Sequence, residues 1–558
     1  MELEKAVGSE AKESAENDVL ASRRREAFEW IFSNVRVPED DPYAVEHWSV
    51  NHARLVLGRD VKNATRYFET VELDPRPFVW PDGSVECVDW DFMGANLLRT
   101  LLDFSASERL SAAAKVHLRA IFTGWVRNAY RNPRQKHFKD NDRAARYPVI
   151  FTENHDLLCL TIGYFGECLA GRDAGGHEAQ LAQSLAWRFR RGWTEWHSPC
   201  YQNVYLKALL LLADHAPNPI IRQSACALIN VQLAERTALS VRGYLGGPYC
   251  RGYEANLAND RVDGYLPIMW QAFGLPEKKD GLAQAGAHFA ASGFQPHPAV
   301  SALAELPAHT PEAYHRGTRD CSTQTELPRR TICHYNTPQV SMGSMRVWGR
   351  AHQPRFFNVM FAAEPSKSLR TYLRESGEPS PWYPRHERGE VVQHRNWLIA
   401  RGGLVEEGGL TAEQAGTFRI YRVDKGLCAH LALAPDLHVF QVGDLDLYPS
   451  PKDFIASLSV PTVEGNTVRA RTSGDDISVD ISNMSIELNG RPGHDWSDKL
   501  YAGPWLFADW DDGRISVRLD SWETVFSDEA LRGLFAELPR EAEREGKSGD
   551  GQKGLQRK

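Results

Sequence analysis

The chain changes its hydrophobic rhythm once, and that change limits what it can fold into. From about residue 22 to 295, apolar residues recur at helical spacing; from about Arg329 onward they alternate with a period of two. In the first half, Ser107–Asn128 carries Leu110, Ala114, Leu118, Ile121 and Phe122 on one helical face. The pattern returns in Asp156–Leu169, His177–Phe189, Tyr201–Ala213, Ile220–Leu239, Asp263–Phe273 and Gly281–Ala291. Ala216-Pro217-Asn218-Pro219 is a short connector suited to an antiparallel helix pair. Successive pairs of this kind predict an α/α toroid or a helical bundle. In the second half, Thr331–Tyr335, Phe356–Ala362, Val391–Ala400, Ala429–Leu433, Leu437–Val442, Thr467–Thr472, Ile477–Ile481 and Ile515–Leu519 read as strands cut by Gly, Asp and Asn. They predict an antiparallel β-sandwich of twelve or more strands.

A chain of 558 residues is too long for one core, so the expected organisation is multidomain α+β. Residues 1–21 are expected as a polar, disordered tail, 22–295 as the helical domain, 296–328 as a Pro- and His-rich linker, 329–527 as the sandwich, and 528–558 as a short helix and disordered tail. A net charge of −8 without a dense Lys/Arg stripe argues against nucleic acid as a partner. No run of about eighteen apolar residues predicts a membrane span. Met1–Arg25 lacks the apolar core of a secretory signal, and the nine Cys are scattered without CxxC pairs; together these predict a cytoplasmic protein with reduced thiols.

Three stretches carry chemistry. Glu153-Asn154-His155-Asp156 precedes an amphipathic helix, where the polar groups either cap the helix or offer an amide and an imidazole to a carboxylate. Trp193 to Tyr201 holds Trp196, His197 and a Ser198-Pro199 helix start, which places Tyr201 in the first turn near the positive end of the helix. Tyr205 lies one turn further; either phenol is a candidate acid or base, and either also suits a core aromatic with a bonded hydroxyl. The loop from Gly243 to Tyr253 is Gly-rich without phosphate-loop spacing. In it Arg251 is placed to pair with a carboxylate, or is a surface turn residue, and Tyr249 and Tyr253 offer ring faces to a sugar. His334 opens the strand region, and His47 and His52 are weaker candidates. The sequence contains no HExxH, CxxC, calcium loop or GxSxG elbow, and Ser341-Met342-Gly343-Ser344 lacks the glycines of the last.

In layout the chain resembles the heparinase II/III-type and alginate-type polysaccharide lyases, which join a helical toroid to an antiparallel β-sandwich. The resemblance spans about residues 25 to 525 and rests on Asn154-His155, then Tyr201 or Tyr205, then His334, in that order. It implies a lyase acting on an acidic oligosaccharide or polysaccharide by β-elimination, with no cofactor required and room left for a structural metal ion. Asn154, His155 and Arg251 would neutralise the uronate carboxylate; Tyr201, or Tyr205 in its place, and His334 would move protons; His197, Trp196, Tyr249 and Tyr253 would line the sugar site. The lack of a signal departs from secreted members and points to an oligosaccharide inside the cell. Two other readings stand beside it. A glycoside hydrolase would use two carboxylates from Glu153, Asp156, Glu195 and Asp263, and a sugar-binding protein would use none.

Overall fold

Helix formation in the first half follows the long Ala-, Leu- and Glu-rich runs. The computed structural model describes residues 2–41, 44–73, 77–79, 85–87, 90–128, 153–193, 195–249, 252, 261–276, 286–306, 312–319, 329–352, 356–372, 385–401, 404–472, 474–493, 499–519 and 522–535. The longer helices are α1 (Glu2–Asn34), α2 (Val45–Leu57), α3 (Val61–Thr70), α4 (Trp90–Asp103), α5 (Ala112–Asn128), α6 (Glu153–Ala170), α7 (Gly175–Arg191), α8 (Gln202–His215) and α9 (Pro219–Leu239). The α8–α9 connector behaves as its prolines predict: Asn218 Oδ1 accepts from Ile220 N at 2.8 Å, and Pro219 takes the first helical position. α4, α6 and α8 pack on one another, while α5, α7 and α9 pack against them from outside. α8 is apolar almost all round, and Leu206, Leu209, Leu210, Leu211 and Leu212 are all buried. Each such leucine contributes about 1.5–3 kcal/mol by leaving water.

The second half is antiparallel throughout the described residues. A sixteen-stranded sheet has the strand Arg329–Asn336 near its middle, between Glu312–Arg319 and Val340–His352. Its last strands, Lys499–Ala502, Leu506–Asp509, Arg514–Leu519 and Trp522–Ser527, share one apolar core with the helices through Leu500, Leu506, Ile515 and Val517. A five-stranded sheet from Thr462 to Pro492 covers the strands carrying Trp397, Ile399 and Val439. Two arginines of α7 clamp the C-terminal strands: Arg190 Nε donates to Asp528 Oδ2 at 2.6 Å, and Arg191 Nε donates to Asp511 Oδ1 at 3.2 Å.

Three expectations change. Residues 1–21 are almost wholly helical, because Glu2–Ala21 contains no Pro and one Gly among good helix formers. Residues 296–328 include a helix, Pro298–Glu305, and the strand Glu312–Arg319 that joins the large sheet. Val391–Ala400 is a hairpin rather than one strand, turning at Arg395, whose φ is 49°. At the other end, Glu529–Leu534 forms a short 3₁₀ helix, and the tail from Glu541 lies outside the described residues.

Candidate active site where the helices meet the large sheet

After α9, Ser240–Val241 and Tyr244–Leu245 form a two-residue hairpin. Arg242 and Gly243 both have positive φ, 52° and 85°, as a type I′ turn demands. The hairpin delivers Gly246-Gly247-Pro248 onto the large sheet. Asn358 Nδ2 donates to Gly246 O at 2.6 Å, and Arg242 Nη2 donates to Gln339 Oε1 at 3.2 Å. Gly247 presses on His334: a Cβ there would stand 1.8 Å from His334 Cε1. Gly343, the cross-strand partner of His334, leaves the space that Pro248 enters. The glycines are therefore required by close approach, and Gly343 belongs to this seat rather than to a serine elbow.

Helical residues meet His334 from the other side. The Trp196 ring centroid lies 5.6 Å from that of His334, and that of His197 lies 6.4 Å away. His197 stacks on Trp196 at 3.9 Å and holds φ at 50°, an uncommon conformation for a non-glycine residue. Behind them sits Glu235 of α9, 1% exposed: its Oε1 accepts from Trp196 Nε1 at 2.7 Å, and its Oε2 lies 3.5 Å from His197 Nε2. Arg236 fixes the same loop by donating to Gln202 Oε1 at 2.5 Å, to Asp263 Oδ2 at 2.6 Å and to the His197 carbonyl at 3.4 Å. Neither Glu235 nor Arg236 stands out in the sequence, where both look like ordinary helix charges. Their signal is the failure of the apolar face of α9 to exclude them.

The first turn of α6 reaches the same loop. Glu153 Oε1 accepts from Glu195 N at 2.6 Å, and Oε2 accepts from Arg188 Nη1 at 2.8 Å, all of them buried. Asn154 is buried beside Glu153 in this turn. His155 turns toward α4: its Nδ1 is 2.6 Å from Asp91 Oδ2, and its ring stacks on Phe92 at 4.8 Å. The first turns of α4 and α6 thus meet, and that of α6 also holds the loop that leads into α8.

The two tyrosines separate. Ser198 Oγ accepts from Cys200 N and Tyr201 N, so its capping role stands, but the helix begins at Gln202 and Tyr201 occupies the position before it rather than the first turn. Tyr201 is half-buried. Tyr205 is fully buried, stacked on Trp193 at 3.9 Å, with its hydroxyl donating to Glu195 O at 3.5 Å. Burial, with Glu153 and Glu195 adding to it, drives the Tyr205 phenol well above its ordinary range, so it stays protonated. Tyr205 is a core aromatic here and unsuited to be a base.

Tyr249 is buried on the loop behind Gly247, and its ring packs on Gly252. Arg251 and Tyr253 lie outside the described residues. His52 is buried in the helical body between Thr100 and Asp103, while His47 lies near the Pro38 and Asp41 carbonyls and stacks on Tyr67; neither joins this group. Among the described residues, no cluster of three or more His, Cys, Asp or Glu is placed to hold a metal ion, and no helix is long and apolar enough to cross a membrane.

No family profile matches the chain, and no curated protein matches it significantly. Among solved structures, a match to Raptor from Chaetomium thermophilum covers 90% of this chain and 59% of that one, at 11% identity and a TM-score of 0.16. The chain spans less than two thirds of that protein, and a score so low carries no argument.

Proposed function

We propose that the chain is a carbohydrate-active lyase that cleaves a uronate-containing oligosaccharide or polysaccharide by β-elimination, on a helical toroid closed by a β-sandwich. The observation that carries this reading is the meeting of His334, from the sheet, with Trp196 and His197, from the helices, under a glycine loop. The helical half and the sheet half then each bring an imidazole to the same junction.

In the reaction, the proton beside the uronate carboxylate leaves to a base, its electron pair forms the new C=C bond, and the glycosidic oxygen departs with a proton from an acid. Asn154 and His155, with Arg251, would hold the carboxylate while charge spreads onto its oxygens. Tyr201 and His334 would be the acid–base pair, and Trp196, stacked on His197, would hold that imidazole beside them. Two of the four carboxylates open to a hydrolase support this choice by being engaged elsewhere: Glu153 is locked on Arg188, and Asp263 on Arg236. The test is a panel of uronate oligosaccharides followed by the ultraviolet absorbance of the unsaturated product. Tyr201→Phe should lower turnover by about a hundredfold or more. An unchanged rate removes Tyr201, and products lacking the double bond remove the lyase.

A further inference from the structure

The contact between α4 and α6 assigns work to a residue outside this scheme. Asp91, in the first turn of α4 and 4% exposed, meets His155 Nδ1 at 2.6 Å. The His155 ring is further fixed by stacking on Phe92, with the two planes 7° apart. Lys207 of α8 feels the charge of Asp91 and donates to Asn96 Oδ1 at 3.3 Å. Burial lowers the Lys207 amine to about 8, and Asp91 pulls the other way. A carboxylate only accepts, so the ring proton at Nδ1 belongs to the Asp91 contact. The tautomer and plane of His155 are then set, and the lone pair of the neutral ring lies on Nε2.

We infer that Asp91 is the positioning residue that aims His155 Nε2 at the acidic group of the sugar, so that discrimination of charged from neutral glycans resides in this pair. The inference rests on the lyase reading for the class of ligand, and on the α4–α6 geometry for the residue. An acidic group at Nε2 selects the doubly protonated ring, whose second N–H it accepts.

The experiment uses the full chain. Proton NMR of the protein alone should show a low-field ring N–H resonance that is absent in His155→Gln and in Asp91→Asn. Calorimetry with a glucuronate-containing hexasaccharide and with neutral cellohexaose should show Asp91→Asn weakening the acidic sugar about tenfold, with cellohexaose unchanged. Asp91→Glu should recover part of the loss, and the double variant should be no worse than His155→Gln. Retention of the resonance in Asp91→Asn, or equal affinity of that variant and the wild type for the acidic sugar, overturns the assignment. Charge-selective binding without unsaturated product removes the lyase and leaves Asp91 in place. Turnover at unchanged KM in Asp91→Asn does the reverse, and a wild-type chain that binds neither sugar ends both.

Discussion

Two polar clusters of opposite character stand in the molecule, one within the helical body and one at its junction with the large sheet. Deep between α2, α4 and α8, Arg99 donates to Asp103 at 2.8 Å, to Asp214 at 2.5 Å and to the Ala291 carbonyl at 2.6 Å, while His215 bonds the second oxygen of Asp103. Burial works against the Arg99 charge, yet Asp103 and Asp214 outweigh it and raise the guanidinium above its ordinary range. That cluster is closed, with each charge answered on the spot. At the junction with the large sheet, one carboxylate, Glu235, stands behind an indole and two imidazoles that approach from different halves of the chain. The ion-pair cluster keeps some contact with water, with Asp103 15% and Asp214 12% exposed, whereas the rings gathered around the glycine loop are almost wholly covered; opposite charges held face to face brace the helices, and the rings join the two halves of the chain.

The comparison breaks most sharply at Arg99. Arg99→Met removes a buried guanidinium and leaves the half-buried Asp103 and Asp214 unanswered, and should cost about 3 kcal/mol in urea unfolding; a loss below 1 kcal/mol would mean that the cluster braces nothing. Acid should act on the same region. Burial, with Arg99 adding and Asp103 opposing, lowers His52 from 6.5 to about 4, and burial takes His288 down as well. The unfolded chain therefore binds these protons first. The stability due to neutral His52 is full above pH 6.5, falls as pH drops below that value and is gone below about 4, a loss of about 3 kcal/mol. Unfolding midpoints at pH 7.5, 6 and 5 that coincide would contradict it. At the junction the order of effects reverses. Gly247→Ala should cost only about 1–3 kcal/mol of stability, yet turnover should fall by about a hundredfold or more, because His334 must move from its seat. Loss of stability with turnover intact would show that the seat is only packing. Smallest is Tyr205→Phe, which removes one long hydrogen bond; it should cost about 1 kcal/mol and leave the rate within threefold, as steady-state kinetics would show.

Legibility in the sequence followed the same division. The helical and strand halves were readable because periodicity reports which face is buried, and α9 was readable to within one residue of its start at Pro219. The strand Glu312–Arg319 was not, because EAYHRGTR shows no alternation and owes its place to pairing with Arg329–Asn336. His197 and Trp196 could be nominated from sequence because they stand just before a Ser-Pro helix start; His334 was nominated by the family resemblance alone. Asp91 and Glu235 could not, since a lone acid on a helix looks like solvent-facing charge until its neighbours are known. Tyr201 and Tyr205 looked equivalent at a spacing of four, and only packing on Trp193 distinguishes them.

The clamp between α7 and the C-terminal strands has a consequence in time. Arg190 waits 338 residues for Asp528, an interval on the order of 20–70 s at ordinary rates of synthesis. The nascent chain must shelter the exposed flank of α7 for that period. A chain cut short before Asp528 thus carries α1 to α9 complete but lacks the keystone.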